Sequence, residues 1–579
     1  MERLAEFAGD KTTLCVSHGR NSFWLSALPE RLGELAALTT LTLNACIFQR
    51  LPESLGQLPA LAVLSIKRCD ALQAMPQSFG QLSALTVLRL DGCISLTALP
   101  AALGQLSMLT CLKIKHCASL TALPEELGQL ANLTTFYMYY CYEVKALPES
   151  LFRLARLTTL FVIECIQITR LSRSLGQLTA LTTLCLRNTG ITEIPESIGQ
   201  LSALTLLSLT GCSRLTALPE SLGQLAMLTT LMLTYCKKLQ SLPASMDKLC
   251  SLCALHTEAC VELRYMPPGL PATLQMLDVS RCAALTALPA SLGQLTDLKC
   301  LELIACRTLT ALPELPGRLA KLALSECWQL TRLPESLAGL ENLTDLHASS
   351  CRVLTVLPES LGQLRALGQL SLSGCHVLTA LPESLGQLAS LKYLDLNGCY
   401  SLTGLPESLG CLSSLTELAL IGCTMVTVLP ESLGQLTSLI TLDLSYCAQL
   451  QVLPRSLGQL ASLHTLLISD CSRLRMLPES LGRLACLHVF VFSGCSSLER
   501  LPLSLIDLPT NICFESRTLS AMTFPPECVV VRGAAATKAF LLAHHCPLQI
   551  LTLLLIARRL CVDHLPCELW VSGCIGDRN

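Results

Sequence analysis

The amino-acid sequence predicts an α/β solenoid, a horseshoe with a parallel β-sheet on its concave face and short helices on its convex face. Three observations lead there. A 24-residue period runs through most of the 579 residues, clearest in LKYLDLNGCYSLTGLPESLGCLSSL from Leu391 to Leu415. Each period holds an LxxLxL segment whose apolar and variable positions alternate, the mark of a strand buried on one face. An LPESLGQL segment follows, in which proline suits the first position of a short helix, glutamate its positive end, and glycine limits it to one or two turns. A unit this small cannot bury its own leucines, so neighbours must stack strand beside strand.

Composition agrees with that reading. Half of the residues are apolar (51%), yet only 4% are aromatic and 15% charged, so leucine and alanine must fill a narrow, repetitive core. Counted from the first leucine of each repeat, cysteine takes the ninth place from Cys46 to Cys495, and Thr189 takes it once, which makes twenty repeats. Spacing shortens to 23, 22 or 21 residues in a few, notably around Pro267–Cys282 and Pro313–Cys327, and such trims should fall after the strand. At ~4.8 Å per strand, the sheet should measure on the order of 100 Å along its inner face.

The consensus LxxLxLxxCxxLTxLPESLGQLxx resembles the leucine-rich-repeat superfamily over residues 27–508. With cysteine in the ninth place and LP in the convex segment, it is most similar to the repeat regions of plant intracellular disease-resistance receptors and of Ras-binding leucine-rich-repeat scaffolds. The resemblance implies a leucine-rich-repeat solenoid that binds proteins. It also implies that the ninth residue turns inward to hydrogen-bond loop backbone between turns. Such receptors carry a nucleotide-binding module as well, but no GxxxxGK[ST] P-loop occurs in this sequence.

The 33 cysteines are explained by that ninth place rather than by disulfides. Neighbouring ninth-place Cβ vectors should run parallel, whereas a disulfide needs them converging at ~3.8 Å. Cys250 and Cys253 form a CxxC without a second pair at zinc spacing, so no metal site is expected. Patterns for GxSxG, HExxH and GxGxxG are lacking, and the chain reads as a binding protein that uses no cofactor rather than as an enzyme. Cys561-Val562-Asp563 matches the CxD of bacterial effector ligases, but the tail is too short for their catalytic domain.

Repeats differ mainly at places five, seven and eight, read as pointing from the strand toward the inner face. Lys67, Arg89, Lys113 and Lys115 there run into Tyr137, Tyr139, Tyr140 and Phe161, a basic stretch beside an aromatic one. In a chain so poor in rings this is the composition of a protein-binding hot spot, and these eight residues are the candidate partner-binding site. Nucleic acid is disfavoured as the partner, because the net charge is −2. Glu258, Asp278 and Glu302 form a second, acidic stripe.

The ends depart from the pattern. Residues 1–26, with one imperfect strand from Thr12 to Ser17, should form an N-terminal cap, and residues 509–579 a C-terminal cap or small helical tail. Helices are expected over Ala534–His545 and Leu548–Leu560. Leu565-Pro566-Cys567-Glu568-Leu569-Trp570 looks like the opening of an F-box helix, which keeps a ubiquitin-ligase substrate receptor as the alternative function. The start has no apolar leader, and the longest apolar run, Leu548–Ala557, falls short of the ~20 residues that span a bilayer, so a cytoplasmic protein that does not insert in membranes is expected. The expected role is an intracellular recognition scaffold in signalling or an immune-type response. Oligomeric state is left open.

Overall fold

The computed structural model describes residues 12–17, 27–509, 512–515, 522–523, 525, 527–530 and 533–545. The chain divides into two compact units, Met1–Asp345 and Leu346–Asn579. Each is a stack of parallel strands backed by short 3₁₀ helices. The first unit opens with β1 (Thr13–Ser17), β2 (Thr40–Asn44), β3 (Val63–Lys67), β4 (Val87–Asp91), β5 (Cys111–Lys115), β6 (Thr135–Tyr139) and β7 (Thr159–Ile163). Its later strands have three residues each, from β8 (Thr183–Cys185) to Lys321–Ala323. The second unit carries strands from Gln369–Ser371 to Cys513–Glu515.

Pairing is in register, repeat on repeat. Leu41, Leu64, Leu88, Leu112, Phe136, Leu160 and Leu184 align across adjacent strands, and all are fully buried. Places one, four, six, nine and twelve point into the core, as in Leu391, Leu394, Leu396, Cys399 and Leu402. Each buried leucine contributes ~1.5–3 kcal/mol of transfer free energy, and because neighbouring turns share that burial, an end repeat needs cover. At the N-terminal end β1 pairs in register with β2, Leu14 beside Leu41 and Val16 beside Leu43.

The convex segments are five-residue 3₁₀ helices such as Glu431–Gln435. Proline stands at the N-cap rather than at the first helical position: Pro430 has φ −67° and ψ 146°, extended backbone that a helical residue cannot have. The glutamate that follows does not serve its own helix. Its carboxylate reaches forward one repeat, where Glu431 accepts from the backbone N–H groups of Arg455 (3.0 Å) and Ser456 (2.9 Å). Glu220 does the same for Ala244 and Ser245, both at 3.0 Å. These carboxylates satisfy N–H groups that a helix start leaves without intrahelical partners, and the bonds hold Glu431 and Glu220 below the usual carboxylate pKa. Glycine in LGQL has a reason beyond ending the helix. A Cβ on Gly223 would stand 2.5 Å from the carbonyl oxygen of Ser245 in the next turn.

The two trimmed repeats keep their strands, Met276–Asp278 and Lys321–Ala323 pairing in register with Cys300–Glu302. What they lose is the 3₁₀ helix, since none is found between Lys248 and Ala290 or between Gln294 and Glu335. Leu270 and Leu315 still plug the core there.

At the other end the pattern runs one strand beyond residue 508, because Cys513–Glu515 pairs with Val489–Val491. Helices α1 (Glu527–Val530) and α2 (Ala534–His545) follow, the second where the sequence predicts it. Lys538 donates from Nζ to the carbonyl of Pro509 at 3.1 Å and to that of Leu508, tying α2 to the last convex turn. The predicted helix Leu548–Leu560, the CxD string and the LPCELW segment lie outside the described residues.

Candidate protein-binding face

Strand alternation carries places three, five and seven to the open side of the sheet. In β6, Phe136 and Met138 are fully buried while Tyr137 and Tyr139 stand half-exposed between them. Pairing then sets the rows. At place five, Ser65, Arg89, Lys113, Tyr137 and Phe161 are successive partners, and at place seven so are Lys67, Asp91, Lys115, Tyr139 and Ile163. Adjacent partners lie one strand spacing apart, ~4.8 Å.

Six of the eight predicted residues, Arg89, Lys113, Lys115, Tyr137, Tyr139 and Phe161, therefore form one band. Tyr137 packs against Phe161 (ring centroids 5.2 Å) and lies nearly parallel to Tyr139 (6.0 Å). The ammonium of Lys113 sits 6.0 Å from the Tyr137 ring centre and 5.5 Å from that of Tyr139, within cation–π range. Arg89 joins on the adjoining strand. Burial, with smaller contributions from Tyr137 and Cys185, pushes the Tyr139 hydroxyl up to about 12, so it is a neutral donor at physiological pH.

The other two, Lys67 and Tyr140, are placed differently. Asp91, at the same register, stands between Lys67 and Lys115 and interrupts the basic row. Tyr140 is not on the strand face. Place eight is the corner after the strand, and it has positive φ in all twenty repeats, 55° at Tyr140. Tyr140 there stacks on His116 (4.4 Å, 10° between planes) and meets Tyr142 edge-on at 6.3 Å, building a separate aromatic ridge. His116 and Tyr142 escaped the sequence reading, whereas Asp91 is legible in the sequence as a member of the place-seven row. The signal for the first two lies in the rings and imidazole that places eight and ten carry on neighbouring repeats.

The acidic stripe is not a free anionic surface. Asp278 is only 8% exposed, and its carboxylate accepts from the backbone N–H of Ser280 at 2.9 Å. Glu258 lies 3.6 Å from Arg281, and Glu302 lies 2.8 Å from Lys321. Sequence alternation shows which face a residue lies on but not which neighbour neutralises it.

Ninth-place thiols turn inward and donate to carbonyls, as the resemblance implied. Cys447 bonds the Leu420 carbonyl at 3.2 Å and Cys495 that of Ile468 at 3.0 Å. Burial raises the thiol of Cys423 to about 12, so it stays protonated as the donor. Among the described residues no group of three or more metal-ligating side chains comes together, and no helix is long and apolar enough to cross a membrane.

Comparison with known proteins points the same way. Residues 387–477 match the family model for leucine-rich repeats of disease resistance proteins like RPS4B. The Toll–Spatzle complex of Drosophila is similar over 87% of this chain and 68% of that one, at 18% identity and a TM-score of 0.54. A plant peptide hormone receptor in complex with RGF2 covers 88% and 90% (19% identity, TM-score 0.45). A leucine-rich-repeat protein of Leptospira interrogans covers 89% and 98% (22%, 0.38). No curated protein matches the chain. Repeat consensus, in-register strand stacking and the likeness to the Toll–Spatzle structure give the chain the fold of a leucine-rich-repeat solenoid.

Proposed function

We propose that the chain is a non-catalytic recognition protein whose sheet face around β5–β7 captures a protein partner in intracellular signalling or an immune-type response. The single observation that carries this is the contiguous band of Lys113, Tyr137, Tyr139 and Phe161 on neighbouring strands of an otherwise ring-poor chain. Large rings held rigidly by a sheet lose little entropy on burial, which is what hot spots exploit. In this reading residues 27–508 are the recognition array, and residues 1–26 and 509–579 its end caps. The Drosophila complex, in which a protein of this fold is partnered with Spatzle, supports a protein ligand. The disease-resistance repeat model over residues 387–477 supports the immune-type setting. Buried thiols that act as hydrogen-bond donors favour a reducing compartment and hence the cytoplasm.

Affinity capture from a lysate, comparing the native chain with a Lys113→Ala, Lys115→Ala, Tyr137→Ala, Tyr139→Ala variant of matched circular dichroism, tests the face. Partners lost by the folded variant support it, and identical partner sets overturn it. A cullin adaptor among shared partners that vanishes on deletion of residues 534–579 would instead support the ubiquitin-ligase alternative.

A further inference from the structure

We infer that the partner presents an acidic extended segment, its carboxylates meeting Arg89, Lys113 and Lys115 and an adjoining aromatic or aliphatic side chain lying on Tyr137 and Phe161. This rests on the recognition face proposed above and adds the chemistry of what binds there. Charge complementarity carries it. Over three consecutive strands the open face and its corner hold Lys67, Arg68, Arg89, Lys113 and Lys115 against two carboxylates, Asp91 on the face and Asp70 at the corner. None of these five cations makes an ion pair among the described residues. The acidic stripe on the same side is satisfied internally, Glu258 by Arg281, Glu302 by Lys321 and Asp278 by the Ser280 N–H. Cations without an ion pair are thus most concentrated over β3–β5, directly beside the rings of β6 and β7.

A peptide suits this layout better than a polynucleotide. The cations are set at single strand spacings, and Asp91 lies in the place-seven row between Lys67 and Lys115, where an unbroken phosphate backbone would be repelled. An extended segment crossing the strands can set a carboxylate over Lys115 and beside Arg89 while avoiding Asp91. Tyr137, Tyr139 and Phe161 are then next along the path. Lys113 serves both halves, since its ammonium lies between the basic row and the two tyrosine rings.

The test is selection of a randomised decapeptide display library on the full chain, followed by direct binding of selected peptides to three folded variants. Selected peptides should carry two or more Asp or Glu beside an aromatic or aliphatic residue. Arg89→Glu with Lys113→Glu should weaken them at least tenfold, and Tyr137→Ala by about tenfold, as for hot-spot residues. Asp91→Asn should bind as well or better. Raising salt from 50 to 300 mM should weaken native binding severalfold. Peptides without carboxylates that still lose binding on Tyr137→Ala would overturn the acidic partner and leave the recognition face standing. Peptides indifferent to every substitution would overturn both. A single-stranded oligonucleotide that binds more tightly than any selected peptide, and is lost on charge reversal, would replace the peptide with nucleic acid.

Discussion

The first six repeats and those after Thr189 are built from nearly the same consensus, yet they close the corner after the strand in two ways. In the first block strands have five residues and continue through place seven. The ninth-place thiol there bonds most closely on its own turn, Cys69 to the Lys67 carbonyl at 3.4 Å and Cys117 to that of Lys115 at 3.6 Å, and meets the preceding turn only at longer range, as Cys69 does Leu43 at 3.9 Å. In the second block strands stop at place five. The thiol instead reaches across to the place-six carbonyl of the preceding turn, Cys212 to Leu186 at 3.0 Å and Cys236 to Leu209 at 3.2 Å. The cysteine N–H also closes a tight turn onto its own place-six carbonyl, as in Cys212 to Leu209. Thr189, the one repeat without the thiol, stands at the change, its hydroxyl donating to the Leu186 carbonyl at 2.9 Å.

That difference has consequences for the open face. Where the strand ends early, the place-seven N–H falls outside the named strand, and place-five aspartates collect it, Asp395 from Asn397 and Asp443 from Ser445. Acidic and small residues of the second block are thus consumed by the corner. In the first block place seven stays on the strand, and its side chains, Lys115 and Tyr139 among them, remain on the open surface. A longer strand leaves a wider open face.

The sharpest way to break the comparison is on the convex side, where the blocks should be alike. Alanine at Gly80 would place Cβ 2.6 Å from the Ala102 carbonyl oxygen, and at Gly223 2.5 Å from that of Ser245. Each should cost about 2–3 kcal/mol by overpacking in urea melts, whereas Gly404→Ala, with nothing within 4 Å, should be near neutral. Unequal losses at Gly80 and Gly223 would show that the blocks differ beyond the corner.

The thiols give the next largest effect. Cys447→Ala and Cys117→Ala remove the same buried group, but only the former also removes a short bond to the previous turn. It should be the more destabilising by about 1 kcal/mol in equilibrium denaturation. Equal losses would mean that the thiol acts through packing alone.

Backbone strain at place eight comes third. Gly398 has φ 68° and Ala259 has φ 58°. Gly398→Ala should cost about 1 kcal/mol and Ala259→Gly recover a similar amount by relieving the left-handed conformation. Thermal shifts of the same sign at both would refute the assignment.

The smallest effect is common to both blocks. Glu53 in the first and Glu431 in the second have lowered pKa values because the ionised carboxylate accepts hydrogen bonds from the next turn. Their contribution is complete above the unfolded carboxylate pKa and lost as pH falls through the lower folded value. Glu431→Gln should therefore cost a few tenths of a kcal/mol at pH 7, shrinking to nothing once the pH has fallen below the lowered folded pKa. A cost that persists at acid pH would mean the amide or side-chain packing, not charge, is what matters.

The sequence by itself determined the solenoid, its repeat count and the inward or outward sense of each strand residue, because these follow from apolar periodicity and from a unit too small to stand alone. It also located Lys113, Tyr137, Tyr139 and Phe161, since one-face alternation is a local property of the chain. Tertiary structure alone decided that Glu431 serves the next turn, that Gly223 leaves room for Ser245, that Asp278 is buried, and that Cys117 and Cys447 bond different carbonyls. Most of these contacts join residues 21 to 27 positions apart. They depend on offsets of a fraction of an ångström between stacked turns, and hydrophobic periodicity, which repeats identically in every turn, does not specify those offsets.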